Sequence, residues 1–282
     1  MLIPSNLLGT LLAFTSAVVW GSGDFTGGYA TRRTNQFQVL VLSAASGLLL
    51  LAAAALIWRE SFPGWQGILW SALAGLTGTV GIAALYKALA VGESAMVAPT
   101  SAVIGAGLPV IFGFLTEGLP SVSRIIGFAL AFIGIWIVSQ TSAAKTAGSR
   151  KTFLLACLAG LGFAGFMICI SRVEGNRVFT PLILSRSVVF LGSFLMLKLN
   201  RVGFPNPLKN GVSLLAGLLD AGGNIFFLLA KQFTRLDTAV VLSSLYPAAT
   251  VILTGWLLKE KISLKQWAGV VICLVAIILI TV

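Results

Sequence analysis

SAAKTAGSRKT, residues 142–152, is the longest polar break in an otherwise apolar chain, and it falls at the midpoint. Five apolar runs precede it, at 6–29, 37–58, 66–91, 95–115 and 124–141. Five follow it, at 153–173, 179–199, 211–231, 238–258 and 264–282. A spanning helix needs about 20 mostly apolar residues, so each run is read as one span. The fold class is therefore an all-α membrane protein of ten transmembrane helices. Residues 1–141 form a first five-helix repeat, 142–152 a linker and 153–282 a second repeat. One offset, 143 residues, aligns the halves from Leu11 to Glu117 almost without gaps. GFLTEGLPS (113–121) falls on WLLKEKIS (256–263), which sets Glu117 on Glu260. Five is odd, so the second repeat enters the membrane inverted, the architecture of many secondary transporters.

Composition excludes the main rivals. Of 282 residues 57% are hydrophobic and 10% charged, too apolar for a soluble core and the opposite of a disordered chain. The net charge of +11 suits loops and anionic headgroups; no basic cluster with interleaved aromatics suggests nucleic acid. There is no histidine, which removes the usual neutral-pH base and the commonest metal ligand. Cys157, Cys169 and Cys273 lie in apolar runs and read as buried thiols. No metal site or cofactor is expected. No GxxxxGK[ST] occurs, so ATP drive within this chain is not expected. Lys and Arg number twelve in loops after odd-numbered spans and six after even-numbered ones. That bias would put the termini outside, so orientation stays open.

WGSGDFTGG (20–28) resembles the opening motif of the EamA-like branch of the drug/metabolite transporter superfamily. YKALAVGESAMVAPTSAVIGAGLPVIFG (86–113) resembles its third-to-fourth-helix segment, and LSSLYPAATVILTGWLLKEKIS (242–263) its second-repeat signature. The resemblance implies a ten-helix carrier, mostly an exporter of amino acids, other metabolites or drugs, with some members taking solutes up. It also implies cytoplasmic termini, against the charge count. Met167 stands where the first repeat has Asp24, and Phe163-Ala164 where it has Trp20-Gly21, so any role of Asp24 belongs to one half.

Ionisable residues inside spans are costly and usually face a cavity or a partner. Asp24, Arg186 and Asp220 qualify. At 1.5 Å per residue, Arg186 lies about 10 Å and Asp220 about 15–17 Å from one face, a gap that an arginine spans. Asp24 counts as roughly 15 Å away in depth and the poorer partner. Arg186 and Asp220 are therefore paired as a substrate or coupling site, with a permanent packing pair as the rival reading. Asn224, one turn beyond Asp220, shares its face. Tyr86, Ser243 and Tyr246 are further donors, and Trp20 a cavity wall. Pro99 and Pro109 in the fourth span and Pro247 in the ninth suggest interrupted helices at corresponding places, the sequence pointer to a transport site. Glu117 and Glu260 end those spans at opposite faces and need cations, Arg124 for the first and Lys259, Lys261 or Lys265 for the second. Ser263-Leu-Lys-Gln266 reads as a capping box.

The expectation is a secondary active transporter of small amino-acid-like or drug-like solutes. It would be an exporter working by alternating access with proton coupling or exchange, in a prokaryotic plasma membrane. An uptake permease and a non-transporting channel or structural subunit are the alternatives. A membrane enzyme would need clustered carboxylates or a nucleophile system, which the spans lack. Expected partners are a small-molecule substrate, protons and the lipid bilayer, with the chain a monomer or homodimer.

Overall fold

The computed structural model describes residues 4–90, 94–139, 150–173, 175–259 and 262–281. Its first-half helices are α1 (Ser5–Thr31), α2 (Gln36–Trp58), α3 (Trp65–Ala90), α4 (Ser94–Glu117) and α5 (Val122–Ser139). The second half has α6 (Arg150–Ser171), α7 (Phe179–Leu199), α8 (Gly211–Phe233), α9 (Leu236–Ser243), α10 (Tyr246–Leu257) and α11 (Leu264–Thr281). Helix thus occupies each of the ten expected segments, and no strand occurs among the described residues. Among the described residues, eight helical stretches are long and apolar enough to cross a membrane, Leu236–Leu257 (α9 with α10) counting as one, and Leu264–Ile280 is a shorter apolar helix.

Two boundaries differ from expectation. α6 starts at Arg150, so the last three residues assigned to the linker are helical. The ninth span is two helices, interrupted at Ser244 and Leu245. Pro247 lies in the first turn of α10, where its missing N–H costs nothing. Its ring would crowd the carbonyl four residues back, at Ser243, which is where α9 stops. α4 runs unbroken through Pro109, so the expected matching interruption in the first half is absent.

Packing is inside-out relative to a soluble protein. The buried side chains include many small ones, such as Ala13, Ser16, Ala17, Ala74, Ala156 and Ala159. Leu56, Ile57, Leu191 and Ile278 face outward, and exposed Trp58, Trp65 and Trp267 lie near helix ends. Lipid exerts no hydrophobic force between helices, so close backbone approach does the joining. A Cβ on Gly162 would lie 2.5 Å from the Gly81 backbone, which locks α6 to α3. One on Gly134 would lie 3.1 Å from the Gly269 carbonyl and collide with Cys273, which locks α5 to α11. The pairings are reciprocal between halves: α1 on α8 as α6 on α3, and α2 on α8 as α7 on α3. Ser263 and Gln266 form the expected capping box at α11, with Gln266 N–H donating to Ser263 Oγ (3.2 Å) and Ser263 N–H to Gln266 Oε1 (3.0 Å).

Candidate functional site

The site begins where α1 crosses α8. Gly23 lets the helices meet: a Cβ there would lie 3.2 Å from the Asp220 amide nitrogen. Gly223 leaves the space that the Trp20 ring occupies, since a Cβ would lie 2.6 Å from its Cγ. The Trp20 indole N–H donates to the Asp220 carbonyl at 3.2 Å, and the Asn224 amide to the same oxygen at 2.7 Å. Trp20 stacks on Phe227 at 5.8 Å and meets Tyr246 edge-on at 6.4 Å. Tyr246 opens α10, and Thr250, one turn on, donates to the Gly21 carbonyl at 3.1 Å. The α9–α10 break is thereby packed against the glycine-rich end of α1.

Arg186 of α7 forms the expected ion pair with Asp220. Its Nη2 also donates to the Ser43 carbonyl of α2 at 3.1 Å. Gly47 makes room, because a Cβ there would lie 2.8 Å from that Nη2. Ser43 is the residue 143 positions earlier, the repeat equivalent of Arg186 itself. The Arg186 side chain is 13% exposed and the Asp220 side chain 42%, so the carboxylate is the accessible member of the pair. Arg186 Nε is buried without a partner among the described residues.

Asp24 does not lie at a separate depth. Its neighbour Gly23 abuts the Asp220 backbone, which sets Asp24 near the level of Asp220. Arg186 takes Asp220 and not Asp24, as the sequence expectation had it. Asp24 is exposed and takes no ion pair among the described residues. Ser243 is fully buried, and its hydroxyl is given to the Ala13 carbonyl at 3.3 Å. The side chains of Tyr86 and Pro99, and the whole of Glu260 and Lys261, lie outside the described residues, and with Glu260 so does the expected pairing to Lys259, Lys261 or Lys265.

Glu117 is held differently from expectation. The cation at this helix end is Arg235, not Arg124, and it binds the backbone carbonyls there rather than the Glu117 carboxylate. Arg235 Nη1 donates to the Glu117 carbonyl at 2.8 Å and Nη2 to the Gly118 carbonyl, at the end of α4. The Glu117 carboxylate accepts the Leu236 N–H at 3.1 Å, at the start of α9. Asp237, 0% exposed, grips the Arg235 fork at 2.7 Å. The hydrogen-bonded Asp237 carboxylate raises the Arg235 pKa above the ordinary arginine value, against a lesser opposing effect of burial, and Glu117 adds to it. Glu60, after α2, likewise accepts the N–H groups of Val178 (2.8 Å) and Thr180 (2.6 Å) at the start of α7. Sequence reasoning missed Glu60, Arg235 and Asp237. Arg235 counted only as a loop charge, and Asp237 fell one residue before the ninth span. The signal was there in an acid in the first turn of a helix, two residues after an arginine.

The EamA-like transporter family matches this chain twice, over residues 7–140 and 150–282. The chain belongs to the EamA-like transporter family. It is thus a multi-pass membrane protein of a family of small-solute transporters. One solved crystal structure of a protein superposes on 96% of this EamA-like chain and 95% of its own, with a TM-score of 0.75 at 16% identity, a likeness of fold. No curated protein matches.

Proposed function

We propose that this EamA-like chain is a secondary active exporter of small amino-acid-like or drug-like solutes, driven by a proton gradient or by exchange. The observation that carries this reading is the α1–α7–α8 site: an accessible carboxylate clamped by Arg186, a second, unpaired carboxylate at Asp24, and a Trp20–Tyr246 wall beside a broken helix. Charges in a bilayer are rare without such a task. Asp220 and Asp24 bind the solute or protons, Asn224 and Trp20 hold the Asp220 backbone in register, and Tyr246 closes the side.

In this reading all ten helical segments span, and residues 1–141 and 153–282 are inverted repeats joined by 142–152. The reciprocal packing of α1 on α8 and α6 on α3 supports a two-fold relation. Five crossings per half make the axis lie in the membrane plane. Alternating access then works by rocking around the site, with Pro247 and the ends at Glu117 and Glu260 as moving parts. The protein acts in the prokaryotic plasma membrane as a monomer or homodimer.

The test is flux in proteoliposomes containing the purified protein, with a panel of radiolabelled amino acids and aromatic amines under an imposed pH gradient. Gradient-dependent accumulation that Asp24→Asn abolishes supports the carrier. Passive flux unaffected by the gradient or by counter-solute would make it a channel. Reversing the gradient separates export from uptake.

A further inference from the structure

The ends of α4 and α9 cap each other across the two halves. Arg235 supplies donors to the last carbonyls of α4, the end of a helix that attracts cations. Glu117 supplies an acceptor to the first free N–H of α9, the end that attracts anions. We propose that Glu117, Arg235 and Asp237 form a latch that shuts the transport path at this membrane face and parts along the seam between Arg235 and the end of α4. The latch rests on the carrier reading above and names its resting state.

The seam follows from burial. Asp237 is 0% exposed and takes Arg235 as its cation, so pulling Arg235 from it would strand a buried charge. On the other side Glu117 and Gly118 are exposed, and water replaces Arg235 at their carbonyls when α4 withdraws. Glu117 itself rehydrates at little cost. The weak edge is therefore the α4 edge, and Arg235 travels with α9. Gly113, one turn before Glu117, packs its bare Cα on Asp237, where a Cβ would lie 3.2 Å away, so at that position no side chain of α4 holds the Asp237 side chain in place.

The latch is one-sided. At the offset of 143, the positions matching Arg235 and Asp237 in the first half are Gly92 and Ser94. The matching positions of the first half therefore carry no arginine and no aspartate, and the carrier rests with the latched face closed. A two-state protein shifts between states only through such differential interactions.

The reporter is Val110→Cys, buried at 3% exposure one turn inside Gly113 on α4. Cys157 and Cys169 are changed to serine, and Cys273, 2% exposed between α5 and α11, stays as an internal control for general loosening. Labelling by a charged maleimide is followed in nanodiscs. Glu117→Gln and, separately, Arg235→Lys should each speed Val110Cys labelling about fivefold to tenfold, as a charge-assisted bond weakens to a neutral or single one. Cys273 labelling should not change. An unchanged rate at position 110, or a rise shared equally by Cys273, overturns the latch. Solute flux is measured on the same preparations. Faster labelling in protein that moves no solute keeps the latch and overturns the carrier reading alone.

Discussion

At the α1–α8 joint two carboxylates, an asparagine and a tryptophan meet; at the α3–α6 joint, its counterpart in the repeat, two glycine backbones touch. Asp220 corresponds to Thr77, whose hydroxyl turns back to the Leu73 and Ala74 carbonyls of its own helix at 2.9 and 3.0 Å. Asp24 corresponds to Met167, which is 9% exposed, and Trp20 to Phe163, which lies over Gly81. The helix beside the first joint is broken at Ser244–Leu245, and the helix beside the second, α4, is not. Symmetry of packing and asymmetry of chemistry are therefore separate properties. The dry α3–α6 joint and the polar α1–α8 joint both hold the halves together, and only the second also carries the groups of a site.

That division can be broken experimentally. Arg186→Gln should have the largest effect, abolishing flux and costing about 2 kcal/mol of stability. The cost is less than the ~3–5 kcal/mol of a fully buried pair because Asp220 is 42% exposed. The double change Arg186→Gln with Asp220→Asn should restore the melting temperature and not the flux. Restoration of both would make the pair a packing device. Next, Asp24→Asn should reduce flux roughly a hundredfold while thermal stability shifts by less than about 0.5 kcal/mol, as for an exposed unpaired residue. A large loss of stability there would assign Asp24 to the scaffold. Gly162→Ala should do the reverse, lowering stability by about 1–3 kcal/mol through overpacking against Gly81 and leaving solute selectivity alone. Thr77→Val should be the quietest, within about 0.5 kcal/mol and with normal flux, because that hydroxyl serves only its own helix. Lost transport in Thr77→Val would show that the dry joint also takes part.

The positions of all ten helical segments were legible because lipid and interior alike demand apolar runs, and length settles the rest. The Arg186–Asp220 pair was legible too, since a charge in a bilayer needs a partner and few were on offer. That Gly23 sets Asp24 beside the Asp220 backbone was not legible, because it depends on which faces α1 and α8 turn to each other. Pro247 marked a true break, whereas Pro109, with the same missing N–H, sits inside an intact helix. The Glu117–Arg235 contact was invisible for a different reason. It joins residues 118 positions apart, and the close approach of α4 to α9 at Gly113 leaves no mark in hydropathy.

The crosswise pairing of the halves also sets a schedule for making the protein. Ser16 of α1 bonds to the carbonyl of Gly223, 207 residues later in the chain. At translation rates of about 5–20 residues per second, α1 waits roughly 10–40 s before its main partner exists. During that interval the glycine face of α1 and the Asp24 carboxylate have no α8 to meet. A nascent first half is thus an incomplete surface that must be sheltered by the insertion machinery, by lipid defects or by a neighbouring copy until residue 223 has been synthesised.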